Sequence, residues 1–246
     1  MKDFRIRGRS VMGRRRPLPE DNQQIVNSFH ELYYNLDLQT WKNTYWLGVA
    51  VSKCPLDLWV YQEIITEIAP ELIVESGTYK GGSALFMATV CDALGRGHIL
   101  SIDIDALEGR PEHPRIHYLT GSSTAEEVKQ QVRLEAEAAG SVMVILDSDH
   151  SAGHVRAELE VYAPLVSLGS YLVVEDTNVN GNPVLEEFGP GPMEALDDFL
   201  VHSDEFVVDR SKEKFMLSFN PKGYLRRVLP LPAVGTVLPK LSPGRK

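Results

Sequence analysis

The stretch ELIVESGTYKGGSALFMATVCDAL, residues 71–94, contains the pattern that decides the fold. Its first six residues contain the short apolar run Leu72, Ile73 and Val74, which predicts a buried strand. Glycines at positions 77, 81 and 82 then let the backbone turn tightly into an amphipathic helical segment. A strand that passes through a glycine turn into a helix is the repeating unit of α/β proteins.

The same unit recurs along the chain and predicts a doubly wound α/β fold with a mostly parallel sheet. Further strands are predicted at residues 97–105, 115–121, 141–147 and 169–176. The last two candidates, EFVVD (205–209) and KFMLSF (214–219), are joined by a polar turn that is too short for a helical crossover. We therefore expect a seven-stranded sheet that ends in an antiparallel edge hairpin.

The composition of the regions flanking this pattern divides the chain into four parts. Residues 1–21 are a basic arm, 22–70 a helical extension, 71–228 the α/β domain and 229–246 a Pro-rich tail. The arm is expected to support a homo-oligomer, because its arginines could meet the acidic surface of a neighbouring subunit. The alternative is that the arm is only a solvated tail.

Composition also limits the class of partner. The chain has 246 residues and a net charge of −9, which disfavours nucleic acid as a partner. No apolar run approaches the ~20 residues that span a bilayer, so no membrane partner is expected. Only Cys54 and Cys91 are present, which argues against a disulfide framework. We expect a cytoplasmic protein that acts on a small molecule.

Two strand ends suit a nucleoside cofactor, because ligands of open α/β sheets bind at the carboxyl ends of the strands. Asp103 ends the second strand, where a carboxylate can accept both ribose hydroxyls, and Asp105 is the alternative. Ser122 and Ser123 follow the third strand and could contact adenine, although Ser123 could instead cap the next helix. The glycine loop lacks the G-x-G-x-x-G spacing of dinucleotide-binding proteins, which argues against NAD.

Three carboxylates at the ends of two neighbouring strands predict a cation site. Asp147 follows the fourth strand, and Glu175 and Asp176 follow the fifth. Crowded carboxylates repel one another, and a divalent cation bound between them removes that repulsion. An oxygen-only ligand set suits Mg²⁺ first, with Mn²⁺ or Ca²⁺ as alternatives, rather than zinc.

His150, three residues beyond Asp147, is the predicted general base, because a histidine titrates near neutrality and would lie beside a cation-held hydroxyl. His154, one helical turn further, is the alternative base or a substrate-binding residue. Asp149 is interpreted as a bystander or as a residue that orients a histidine.

Several blocks in order between about residues 40 and 227 resemble the cephalosporin hydroxylase / rhamnosyl O-methyltransferase family. The resemblance lies in YWLGVAVSKCPLDLWVYQEII (45–65), LIVESGTYKGGSALFMA (72–88), MVILDSDHSAGHVRAELEVYAPLVSLGSYLVVEDT (143–177) and FGPGPMEAL (188–196). It implies a class I, Rossmann-like methyltransferase fold over 71–228, S-adenosylmethionine (SAM) as methyl donor, and a divalent cation held by Asp147, Glu175 and Asp176.

The loop E-x-G-x-x-x-G-G-S is similar to the loop with which methyltransferases hold SAM. The SAM-binding residues expected from this resemblance and from the strand ends are Glu75, Gly77, Thr78, Tyr79, Lys80, Ser83, Asp103, Ser122, Ser123 and Asp147. The implied activity is O-methyl transfer to a hydroxyl, first of all a sugar hydroxyl, of a natural product made in secondary metabolism, such as an antibiotic. The segment NVNGNPVLEEFGPGP (178–192) is expected to be a lid.

Two other classes of function stay open at this point. One is an oxidoreductase that hydroxylates or methoxylates a β-lactam or another small molecule, with NAD or with iron held by His150, His154 and Asp147. The other is a scaffold that has the same fold and binds a partner enzyme through the basic arm.

Overall fold

The computed structural model describes residues 18–35, 37 and 39–228. Most of the predicted basic arm (1–21) and all of the Pro-rich tail (229–246) lie outside these residues. The helices are α1 (Glu20–Asn35), α2 (Pro55–Ile68), α3 (Gly82–Leu94), α4 (Glu126–Ala138), α5 (Ala152–Tyr162) and α6 (Pro192–His202). The strands are β1 (Tyr45–Trp46), β2 (Val49–Ala50), β3 (Leu72–Ser76), β4 (His98–Asp103), β5 (Ile116–Thr120), β6 (Val142–Leu146), β7 (Tyr171–Val174), β8 (Phe206–Val208) and β9 (Tyr224–Arg227).

Seven of these strands form one sheet in the order β5-β4-β3-β6-β7-β9-β8. The first five strands in this order are parallel to one another, whereas β9 is antiparallel to both β7 and β8. The predicted seven-stranded, mostly parallel sheet with an antiparallel edge is therefore confirmed. Strands β6 and β7 are neighbours, so the residues that follow them reach the same corner of the sheet.

The seventh strand lies later in the chain than predicted. The run KFMLSF (214–219) is not a strand, and β9 takes its place in the sheet. The apolar side chains of Leu217 and Phe219 pack instead against aromatic residues of the extension. The carboxylate of Asp57 in α2 also accepts a hydrogen bond of 2.8 Å from the backbone N–H of Phe219. The prediction of a strand at 214–219 was wrong because the apolar side chains of this run pack against the extension and not within the sheet.

Alternate residues of the strands face two separate apolar layers, as the two-residue period of a strand requires. In β3, Leu72 and Val74 pack with residues of α4, α5 and α6, whereas Ile73 packs with residues of α2 and α3. Both layers are buried, so the sheet is covered on both faces. None of the helices within the described ranges has the length and apolarity needed to cross a bilayer.

The extension packs against the glycine loop. A Cβ atom on Gly82 would lie 2.2 Å from the carbonyl oxygen of Ala50, so the β1–β2 hairpin can approach α3 only because residue 82 is glycine. This contact brings the residues after β2 to the carboxyl ends of the sheet strands. In α1, Ile25, Phe29 and Leu32 lie at helical spacing, yet all three side chains are exposed.

Candidate active site

The turn after β3 is shaped by a close approach of two strand ends. Gly77 has a φ of 80°, and a Cβ atom at this position would lie 1.8 Å from the carbonyl oxygen of Asp147. Its N–H donates a hydrogen bond of 2.8 Å to the carbonyl of Ile102. Because only glycine tolerates both the backbone conformation and the contact, Gly77 fixes β3, β4 and β6 relative to one another.

A cavity of about 640 Å³ opens at the carboxyl ends of β3, β4, β5, β6 and β7. The predicted cofactor-binding residues that line it are Gly77, Thr78, Tyr79, Ser83, Asp103, Ser122, Ser123 and Asp147. Two others lie elsewhere. Glu75 is fully buried in β3 and accepts a hydrogen bond of 2.6 Å from Ser101 Oγ, and the ammonium of Lys80 lies 5.3 Å from the ring centroid of Tyr79.

Asp103 is held rigidly at the cavity wall by three groups. Its Oδ2 accepts a hydrogen bond of 2.7 Å from the backbone N–H of Tyr79, and its Oδ1 accepts one of 2.9 Å from that of Asp105. The guanidinium of Arg110 lies 3.2 Å from Oδ2. A carboxylate has about four acceptor positions, so hydroxyl groups of a ligand can still bind to Asp103.

The structure brings together Asp147, His150 and Asp176, whose ligand atoms all lie within 4.8 Å of one another. Nε2 of His150 lies 3.1 Å from Oδ2 of Asp176. Asp176 has a left-handed φ of 52°, and the Asn220 side chain accepts a hydrogen bond of 3.1 Å from its backbone N–H. Aspartate adopts this conformation more readily than most residues, and the hydrogen bond to Asn220 helps to hold it there.

Glu175, the third cation ligand expected from the sequence, is not part of this group. Its Oε1 accepts hydrogen bonds from the ammonium of Lys53 at 2.5 Å and from the hydroxyl of Tyr61 at 2.6 Å. The same ammonium is also bonded to Oδ2 of Asp147. Burial raises the pKa of Asp147, and the carboxylate of Glu175 raises it further, whereas Lys53 lowers it.

His154 faces the other side of the cavity. Its Nε2 lies 3.1 Å from Ser123 Oγ and 3.6 Å from Oε1 of the buried Glu158, and this contact with Glu158 raises the pKa of His154. The three residues suggested for an iron centre, His150, His154 and Asp147, are therefore not brought together in the described structure. Asp149 accepts a hydrogen bond of 2.7 Å from the backbone N–H of Ser151 and so shapes the start of α5.

The extension supplies functional candidates that the sequence reading missed. Tyr34 and Trp41 line the cavity and stack with ring centroids 5.3 Å apart. Lys53 and Tyr61 contact the carboxylates at the strand ends: Lys53 is bonded to Asp147, and Tyr61 donates a hydrogen bond to Glu175. The available signal was a charged residue, Lys53, between the apolar run that ends at Val51 and the start of the next helical segment at Pro55. The predicted lid, 178–192, contributes none of the cavity-lining residues identified in the described structure.

The sheet order, the antiparallel edge and a cavity at the strand ends together define the class I SAM-dependent methyltransferase fold. A solved structure of CmcI with Mg and SAM matches this fold with a TM-score of 0.59 and 21% sequence identity, covering 90% of each chain.

The sequence matches the family described as Rhamnosyl O-methyltransferase/CmcI over residues 38–228, and the chain belongs to that family. It is 40% identical to a rhamnosyl O-methyltransferase of Mycobacterium tuberculosis (strain H37Rv) over 214 residues, which cover 82% of this chain and 85% of the relative. The match to a rhamnosyl O-methyltransferase of Mycobacterium leprae (strain TN) is also 40% identical, over 212 residues and 90% of that relative.

Proposed function

We propose that this protein is a SAM- and divalent-cation-dependent O-methyltransferase whose acceptor is a hydroxyl of a rhamnosyl group on a natural product. One observation is the main support for the proposal: a single cavity is lined both by the predicted cofactor residues after β3 and β4 and by the group Asp147, His150 and Asp176. The acceptor class comes from the names of the 40% identical relatives.

The cavity fits a nucleoside cofactor. Thr78 is buried in the cavity wall, and its Oγ1 has no hydrogen-bond partner among the described residues, so this hydroxyl is available to a ligand. Asp103 would accept the ribose hydroxyls, and the hydroxyls of Ser122 and Ser123 would contact the base. Two other residues expected from the sequence would not contact the cofactor directly. Glu75 lies buried behind the cavity wall, and Lys80 lies on the surface of the loop.

The donor set at the β6–β7 corner fits a divalent cation. Asp147 and Asp176 offer carboxylate oxygens, which suit Mg²⁺ or Mn²⁺, and a site with two carboxylates leaves positions for acceptor oxygens. Glu175 would enter the ligand set only by leaving Lys53 and Tyr61. When bound, SAM supplies an electrophilic methyl group, and the cation favours the ionised form of the acceptor hydroxyl.

His150 would take the proton of the acceptor hydroxyl on Nδ1, because Nε2 faces the Asp176 carboxylate and donates to it. The neighbouring Oδ2 of Asp176, 3.1 Å away, would stabilise the imidazolium that forms. The half-buried position of His150 leaves a path by which the proton can then pass to water. The aromatic wall of Tyr34 and Trp41 would pack against the apolar face of the sugar and exclude water from it.

The acceptor class is tested by incubating the enzyme and Mg²⁺ with methyl-labelled SAM and a matched panel of acceptors. The panel contains an aryl rhamnoside, the aryl glucoside with the same aglycone, and a simple catechol. We expect label on the sugar ring of the rhamnoside and at least about tenfold less on the other two, because one lost hydrogen bond in a fitted site costs about that much. Transfer to the catechol alone would contradict the proposed acceptor.

A further inference from the structure

Lys53 lies beside the proposed cation site, and the role inferred for it below rests on the proposed function. Lys53 lies between β2 and α2, in a segment whose backbone is fixed on both sides. Its carbonyl accepts a hydrogen bond of 3.3 Å from Thr44 Oγ1, and the preceding Ser52 has a left-handed φ of 56°. Pro55 starts α2 two residues later. The direction of the Lys53 side chain is thus set by the fold of the extension.

The ammonium of Lys53 is buried between the carboxylates that end two strands. Lys53 is 3% exposed, and Nζ contacts Oδ2 of Asp147 after β6 and Oε1 of Glu175 after β7. Tyr61 donates a second hydrogen bond to the same Glu175 oxygen, and the side-chain amide of Asn220 donates one of 3.2 Å to Tyr61. A chain of buried polar groups therefore holds Glu175 on the side of the lysine.

A fixed positive charge in this position must weaken the binding of another cation at Asp147. The two cations share one carboxylate, and charges a few ångströms apart interact strongly where water is excluded. Lys53 also reduces the repulsion between Asp147 and Glu175, so the corner is stable without metal. We propose that Lys53 is a resident cation that limits the affinity of the site for the divalent cation.

The test is Mn²⁺ binding, measured by the loss of the free-Mn²⁺ electron paramagnetic resonance signal, for wild type, Lys53→Met, Lys53→Arg and Lys129→Met. Lys129→Met is the matched control, because Lys129 pairs with Glu126 in α4, away from the cavity. We expect Lys53→Met to bind Mn²⁺ about tenfold or more tightly than wild type. Lys53→Arg, which keeps the charge, and Lys129→Met should both bind like wild type.

Thermal unfolding of the same proteins supplies the second readout. Without metal, Lys53→Met should melt below wild type, because two buried carboxylates lose their counter-charge. Mn²⁺ should raise the melting temperature of Lys53→Met more than that of wild type, since the metal replaces the missing ammonium. Folding of Lys53→Met only in the presence of Mn²⁺ would also support the proposal, because the metal would then take the place of the ammonium.

Equal or weaker Mn²⁺ binding by Lys53→Met would overturn the proposal and leave the proposed function intact. Failure of this variant to fold even with Mn²⁺ would do the same, because the metal would then be unable to take the place of the ammonium. Absence of Mn²⁺ binding by wild type and by every variant would overturn both this proposal and the cation requirement of the proposed function.

Discussion

His150 and Asp176 meet across the loops that follow β6 and β7, with Nε2 of His150 3.1 Å from Oδ2 of Asp176. This contact joins the predicted base to a predicted cation ligand. It holds the imidazole ring at the corner of the sheet where the acceptor hydroxyl would bind. The same contact raises the question of whether His150 is a base or a ligand, and kinetics can separate these roles.

Replacing His150 with Ala should lower kcat by about 10²–10⁴-fold, the usual contribution of a positioned general base, while SAM and Mn²⁺ bind nearly as in wild type. The residual rate should increase with pH as hydroxide takes over proton removal. The measurements are kcat against pH and the two binding affinities, with the exposed His117→Ala as control. A large loss of Mn²⁺ affinity would show that His150 is a ligand, and normal turnover would move the base to His154 or Asp149.

Replacing Asp103 with Ala should weaken SAM binding, because the ribose hydroxyls lose a charged acceptor. A hydrogen bond to a charged group contributes about 1.5–3 kcal/mol, which corresponds to roughly 10- to 150-fold in affinity. Calorimetric titration with SAM measures the change, and Asp105→Ala is the matched comparison. Unchanged affinity in Asp103→Ala together with a loss in Asp105→Ala would assign the ribose contact to Asp105.

Replacing Gly77 with Ala should prevent stable folding, since the new Cβ would lie 1.8 Å from the carbonyl oxygen of Asp147. The control is Gly153→Ala in α5, where a Cβ meets no atom within 4 Å. That control should be slightly more stable than wild type, by about 0.5–1 kcal/mol, because alanine favours the helix. The free energy of unfolding in urea measures both. Wild-type stability in Gly77→Ala would contradict the observed contact between the two strand ends.

His30 should contribute to acid sensitivity. Burial lowers its pKa from 6.5 to about 4, and Nε2 accepts a hydrogen bond from Asn178 at 3.0 Å. The unfolded chain therefore takes up a proton below about pH 6.5, whereas the folded chain does not until about pH 4. The stability from this histidine is complete above pH 6.5 and is lost as the pH falls to 4, by up to about 3 kcal/mol.

Urea unfolding from pH 7.5 to 4.5 measures this effect by comparing wild type with His30→Phe, which keeps an aromatic ring against Phe219. The free energy of unfolding should fall less steeply with decreasing pH in the variant, because one titrating group has been removed. An identical slope in the two proteins would contradict the assignment.

Much of the sheet was predictable because its signals are local. Buried strands read as short apolar runs, and glycines mark the turn after β3, so the order of strands and helices follows from neighbouring residues. The misplaced seventh strand shows where this fails. KFMLSF has the apolar character of a strand, but Phe219 packs against Tyr34 and Trp41, which are far away in sequence.

The site was predictable in part for a related reason. Asp103, Asp147 and Asp176 were predicted as site residues because each lies at the end of a predicted strand, and strand ends meet at one edge of the sheet. Lys53 and Asp147 are 94 residues apart, and no local pattern indicates that they touch. Only the packing of the extension on the glycine loop brings Lys53 and Tyr61 to the carboxylates. The hydrogen bonds from these two residues to Glu175 therefore could not be derived from the spacing of residues in the sequence.

The most direct test of the account is methyl transfer from labelled SAM to an aryl rhamnoside by enzyme treated with EDTA and desalted, assayed before and after addition of Mg²⁺. We expect little or no transfer by the metal-free enzyme and labelling of the rhamnose ring once Mg²⁺ is restored. SAM binding should be similar in both states, because the proposed cofactor-binding residues lie mainly after β3 and β4. Full transfer by the metal-free enzyme would contradict the account, and the group Asp147, His150 and Asp176 would then have to act without a cation.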